Sequence, residues 1–181
     1  MRITNVEAFY VRPAEFRERS DSSQDSLVVK VSTDEGIIGY GEVDSSPLIA
    51  KAVIEAPYSH TLSCGLRKIV VGQDPFQYEK IWHEMISKTS YIGREGAVIQ
   101  AAAGIDLAIW DIIGKALNMP VYKLLGGGFT QEVKAYASAM FSFTPEETAE
   151  RARKFVEQGF KAVKFGWEPM GPDPELDEAL V

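Results

Sequence analysis

Between Ala97 and Ala116 apolar residues cover most of a helix's circumference, leaving Gln100, Gly104, Asp111 and Lys115 as a narrow polar stripe. A helix with that distribution is poorly suited to a surface and has to be covered on several sides. Asn118-Met119-Pro120 ends it, because proline has no N–H to donate and clashes with the preceding turn. Asp106 lies off the polar stripe and is expected to be a buried, hydrogen-bonded structural carboxylate, since an unpaired buried charge is costly. Trp82 and Trp110 fit helix packing better than base stacking.

The residues before this helix carry a different period. Thr4, Val6, Ala8 and Tyr10 alternate with more polar neighbours, and Leu27, Val29 and Val31 do the same, so both segments predict strands with one buried face. Asp34-Glu35-Gly36 supplies a turn into Ile37 to Val43, which completes a small antiparallel sheet. Pro13 to Ser26 is polar and serine-rich and predicts a loop. Asp74-Pro75-Phe76-Gln77 combines an N-cap, a proline at the first helical position and a capping-box glutamine, with Ile81, Trp82 and Met85 as the apolar stripe that follows. Beyond residue 128 the pattern is strand (about Glu132 to Met140), helix from Thr144-Pro145-Glu146-Glu147 to about Gln158, strand (Lys161 to Phe165), then an acidic segment that begins another helix. That alternation predicts parallel α/β architecture, and one such unit cannot close a barrel, which needs eight strand-helix pairs and about 250 residues.

Nineteen basic and 26 acidic side chains give a net charge of −7, which opposes nonspecific attraction to nucleic acid, and Arg151, Arg153 and Lys154 form a solvated helix face. A single cysteine, Cys64, excludes an internal disulfide framework. The N-terminus enters a strand pattern directly, so cytoplasmic residence is expected, and no membrane association is expected from the apolar windows. His60 and His83 lack metal-ligand spacing, and Gly126-Gly127-Gly128 lacks the Gly-Lys-Ser/Thr of a phosphate loop and predicts a flexible passage between domains.

The residue that could carry chemistry is Lys164. Period-two geometry puts Ala162, Lys164 and Gly166 on one strand face and Val163, Phe165 and Trp167 on the other. Small neighbours leave room for a ligand beside the amine, and a lysine in a partly desolvated cleft can act as base or acid. The alternative is a lysine with a buried stem whose amine pairs with a carboxylate. Ser45, in the polar run after Glu42, can contact a substrate or serve a turn.

Taken together, Gly36-Ile-Ile-Gly-Tyr-Gly-Glu42, Val71-Gly-Gln-Asp-Pro75, Ala103-Gly-Ile-Asp-Leu-Ala-Ile-Trp-Asp111, Pro120-Val-Tyr-Lys-Leu-Leu-Gly-Gly127 and the strand through Lys164 resemble the enolase superfamily, in particular its mandelate racemase and muconate lactonizing enzyme group. The resemblance implies an α+β capping domain with a three-stranded antiparallel sheet and helices over residues 1–127, followed by the incomplete beginning of a modified TIM (β/α) barrel over 128–181. It implies that Lys164 moves a proton next to a substrate carboxylate, with Mg2+ stabilising the enediolate in the full-length parent and no metal ligand in this chain. Where many racemases and cycloisomerases have Lys-x-Lys, Gly166 stands in place of the second lysine, and Lys164-Phe-Gly-Trp167 looks more like an acid-sugar dehydratase branch. The loop from Pro13 to Ser26 and the region near Val43 correspond to segments over the barrel mouth, so Arg17, Arg19, Ser45 and Trp167 are candidate substrate contacts. The expected activity of the parent is dehydration of a small carboxylate or acid-sugar substrate. The alternatives are a racemase or epimerase and a non-catalytic capping or interaction fragment. A truncated piece is expected to be inactive alone and, with open sheet edges, to self-associate or form a homo-oligomer.

Overall fold

The computed structural model describes residues 1–18, 20 and 22–180. They divide into two compact units, one of residues 1–16 with 23–128 and one of residues 17–22 with 129–181.

The first unit opens with strands β1 (Ile3–Val11), β2 (Ser26–Thr33) and β3 (Ile38–Val43), joined antiparallel in the order β1-β2-β3. Helices α1 (Pro47–Glu55), α2 (Leu66–Val70), α3 (Tyr78–Ser87), α4 (Ala97–Ala116) and α5 (Val121–Leu124) follow, with a 3-10 turn at Pro75–Gln77 before α3. In β2 the alternation holds without a break, and Leu27, Val29, Val31 and Thr33 are buried. In β1 the phase differs from expectation. Val6 and Ala8 are buried, but Ile3 rather than Thr4 continues the buried face, because the pairing shifts between Ile3 and Asn5. The inserted residue, Thr4, is turned outward by that irregularity. Asp74 caps the 3-10 turn through the Phe76 N–H at 3.1 Å, and the α-helix proper starts only at Tyr78.

Helix α4 is the centre of this unit. Ala101, Ala102, Ile105, Ala108, Ile109 and Ile112 are fully buried, and the helix packs on β2, β3, α1 and α3. By length and composition alone it could cross a membrane, a test that the mostly buried core helix of a folded domain also passes. Most of that apolar surface is covered inside the unit, as in the core helix of a folded domain. Its seat on β3 depends on absent side chains. A Cβ on Gly41 would lie 2.0 Å from the Gly104 carbonyl oxygen, one on Gly39 2.0 Å from the Ala108 carbonyl oxygen, and one on Gly104 2.5 Å from Val43 Cγ2. Glycines on both elements thus let backbone meet backbone.

The polar stripe has a structural use. Strand β3 lies at the sheet edge, with unpaired backbone groups on its open side. The Tyr40 N–H donates to Asp111 Oδ2 at 2.9 Å and Lys115 Nζ donates to the Ile38 carbonyl at 2.8 Å. Lys115 also bonds Asp111 at 2.7 Å, so one ion pair on α4 satisfies a donor and an acceptor of the edge strand. Asn118, at φ 49°, then turns the chain out of the helix. Gly126 and Gly127, both at positive φ, accept a hydrogen-bonded role at the end of α5, where the Gly127 N–H donates to the Tyr122 carbonyl at 2.9 Å.

The second unit contains β4 (Ala137–Met140), α6 (Pro145–Glu157), β5 (Val163–Gly166) and α7 (Pro174–Leu180), with β4 and β5 parallel. Thr144 caps α6 by accepting the Glu147 N–H at 3.2 Å. Both strands are shorter than the sequence pattern predicts. The cap of α6 carries the chain through Gly159 at φ 96° and a Phe160 N–H to Phe155 carbonyl bond of 3.2 Å, so β5 starts at Val163. Residues 132–136 therefore have no β5 residue opposite them, and β4 begins at Ala137, which pairs with Val163.

Candidate functional site

The polar face of the parallel pair carries the candidate site. Ser138 lies beside Lys164 and Met140 beside Gly166 in the ladder. Alternation sends Phe165 the other way, where its ring is 5.6 Å from Phe141 and 6.5 Å from Phe155, which in turn meets Phe160 edge-on at 6.2 Å. This aromatic cluster anchors β5 from the side of α6 and leaves Lys164 facing away, exposed.

Trp167 departs from simple alternation. Its backbone sits at φ 65°, in the left-handed region, so the strand turns sharply after Gly166. The turn brings the indole to the lysine side of the strand, with Lys164 Nζ 4.7 Å from the ring centroid. At an exposed site such a cation–π contact contributes about 0.5–1 kcal/mol. The consequence is geometric: the amine is held over a flat apolar surface. A Cβ at Gly166 would meet nothing within 4 Å, so the space next to the lysine is open.

Among the other candidates, Arg17 is exposed in the 17–22 segment that groups with residues 129–181. Arg19 lies outside the described residues. Ser45 belongs to the first unit, half-buried in the turn between β3 and α1, where Glu42 accepts the Ser26 hydroxyl at 2.6 Å. Asp106 differs from its expected role. It is half-buried, and among the described residues no side chain hydrogen-bonds or pairs with it; burial pushes its carboxyl above the usual aspartate value. It shares a pocket with Tyr78, Glu79, Trp82 and Trp110. The one signal for this pocket in the sequence was an acidic residue out of phase with its helix's polar stripe.

Among the described residues no three His, Cys, Asp or Glu side chains converge to hold a metal ion. The Lys164 face offers an amine that can transfer a proton or meet an anion.

The three-stranded meander sheet and its central helix belong to the first unit, and the parallel strand pair that carries Lys164 to the second. Residues 2–126 match the family described as Mandelate racemase / muconate lactonizing enzyme, N-terminal domain, and the chain belongs to that family. It is 36% identical over 170 residues to the N-succinyl-L-Arg/Lys racemase of Bacillus cereus, covering 91% of this chain and 44% of that protein. It is 40% identical over 149 residues to the D-galactonate dehydratase of Pectobacterium atrosepticum, covering 80% of this chain and 36% of that protein. A crystal structure described as a predicted mandelate racemase from Rhodobacter sphaeroides superposes with a TM-score of 0.84 at 34% identity, over 99% of this chain and 46% of that one. The chain therefore spans less than half the length of these relatives.

Proposed function

We propose that this chain is the N-terminal part of an acid-sugar dehydratase, in which Lys164 removes the proton α to a substrate carboxylate. The observation that supports this reading is the exposed Lys164 amine on the open face of the second parallel strand, held over Trp167 beside the unfilled position at Gly166. Residues near the C-terminal ends of strands in a (β/α) barrel are the ones that face its active site. The neutral amine takes the α-proton to become an ammonium, leaving the electron pair as an enediolate on the carboxylate. That pair then forms the Cα–Cβ double bond as the β C–O bond breaks, and the hydroxyl leaves as water once protonated. Trp167 offers an apolar plane against which a sugar face can lie, and Arg17 is proposed to contact the carboxylate or hydroxyls; Ser45, which belongs to the first unit, is proposed as a substrate contact from sequence alone. Arg19 is proposed for the same role, from sequence alone.

The test is a screen of acid sugars in D2O with Mg2+, using the complete enzyme and its Lys164→Met variant. The expected result is a dehydrated keto product, with turnover falling by about 10²–10⁴ in the variant, the range for loss of a general acid or base. Unchanged exchange of the α-proton in Lys164→Met refutes the role of the lysine. A second reading, racemisation or epimerisation, is favoured by the 36% identity to the N-succinyl-L-Arg/Lys racemase over 91% of the chain. Deuterium at Cα of the product without loss of water selects it.

A further inference from the structure

The pocket between α3 and α4 is built unlike the rest of the surface of the first unit. Tyr78 and Trp82 come from α3, and Asp106 and Trp110 stand one helical turn apart on α4. The Tyr78 and Trp110 rings are 4.6 Å apart and inclined at 47°, and all three aromatic residues are packed against the core on their inner sides. Together with Asp106 and the exposed Glu79 they line an open pocket of about 290 Å3.

A carboxylate in this setting is unusual. Three acidic side chains on the helices of this unit have partners: Glu84 bonds Lys88 at 2.6 Å, Asp111 bonds Lys115 at 2.7 Å and Glu55 bonds Lys51 at 3.0 Å and Arg67 at 3.1 Å. Asp106 carries the desolvation of a half-buried site without any such compensation among the described residues. Three aromatic residues line the pocket beside it, and the faces of such rings attract cations. A cation entering the pocket would meet both kinds of attraction at once.

We propose that this pocket binds the guanidinium of an arginine side chain presented by a polypeptide segment. The volume lies at the bottom of the range for small-molecule pockets, which suits one side chain rather than a whole metabolite. A planar guanidinium can stack on an indole or phenol while its N–H groups pair with a carboxylate, whereas an ammonium is a compact, strongly hydrated charge that matches flat walls less well. The arginine would pair with Asp106 and pack against Trp82 and Trp110, with Glu79 adding attraction at the mouth. This reading is independent of the reaction assigned to Lys164.

The test follows the indole N–H signals of Trp82, Trp110 and Trp167 in the 15N-labelled chain during titration with the capped tripeptide acetyl-Gly-Arg-Gly-amide. Saturable shifts at Trp82 and Trp110 with none at Trp167 are expected. Association should weaken at least tenfold in Asp106→Asn and in Trp82→Leu, each checked by circular dichroism for a retained fold. No saturable shift in the parent chain, or equal binding by Asp106→Asn and the parent, overturns the proposal. So does equal binding of the norleucine peptide, which would make the pocket merely apolar, or of the lysine peptide, which would remove the role of the planar group. Methylguanidinium alone binding as tightly as the peptide overturns the polypeptide source.

Discussion

Replacing Gly41 with alanine tests whether backbone contact between β3 and α4 organises the first unit. Gly41 is an interior strand residue, and if its surroundings were open, alanine would stabilise the chain by about 0.4–1 kcal/mol through the unfolded state. The structure reverses the sign. The new methyl carbon would lie 2.0 Å from the Gly104 carbonyl oxygen and 3.0 Å from the Ala108 nitrogen, both backbone atoms in the middle of a twenty-residue helix. Neither can swing aside, so the helix must lift from the sheet. Overpacking typically costs 1–3 kcal/mol, and a rigid obstacle puts this case near about 3 kcal/mol. For a chain of this length that lowers the melting temperature by about 6–12 °C. Gly36→Ala is the control, because Gly36 at φ 80° has nothing within 4 Å of a Cβ and its cost is backbone strain alone, about 1–2 kcal/mol. Thermal and urea unfolding followed by circular dichroism read both. A Gly41→Ala chain that melts at or above the parent, or loses less than Gly36→Ala, refutes the close-contact account.

Asp106→Asn should raise stability at neutral pH, because burial raises the folded-state pKa and so penalises the charged form. That penalty is complete above the folded-state pKa and vanishes below the unfolded value, so the difference between variant and parent should close as pH falls toward 3.8, read by melts across pH. Glu84→Gln should have the opposite pattern. The Lys88 hydrogen bond holds the Glu84 carboxyl below its ordinary value, so its contribution is present above pH 4.5 and lost on acidification through the folded-state pKa. The loss at pH 7 is expected to be about 0.3–0.5 kcal/mol per helical ion pair, in the same melts. Gly166→Lys should leave stability within about 0.5 kcal/mol, since its Cβ meets nothing within 4 Å, and an unfolding midpoint clearly below the parent would show that the face beside Lys164 is not open.

Much of the fold was legible because it is local. The period of two in Leu27, Val29 and Val31, the helix from Ala97 to Ala116, the cap at Thr144 and the parallel strand-helix-strand order all stand as the residues predicted. The motif containing Gly39 and Gly41 could be recognised, but its reason appeared only when α4 lay 2.0 Å from where each Cβ would be. Likewise Asp111 and Lys115 read as a polar stripe, while their use as partners for the edge of β3 depends on residues more than seventy positions away.

The candidate sites divide along the same line. That Lys164 faces away from Phe165 follows from strand alternation, a local property of extended backbone. That Trp167 joins Lys164 does not follow, because a left-handed residue at φ 65° overrides the alternation. Asp106 lost its expected partner and gained an aromatic pocket for a related reason. Sequence spacing gives the face of α4 on which it stands, but only the packing of α3 against α4 decides whether a carboxylate there meets a hydrogen-bond donor or three rings. Periodicity, caps and turns are short-range effects and are written in neighbouring residues; which side chains converge across elements depends on tertiary contacts that no local pattern encodes.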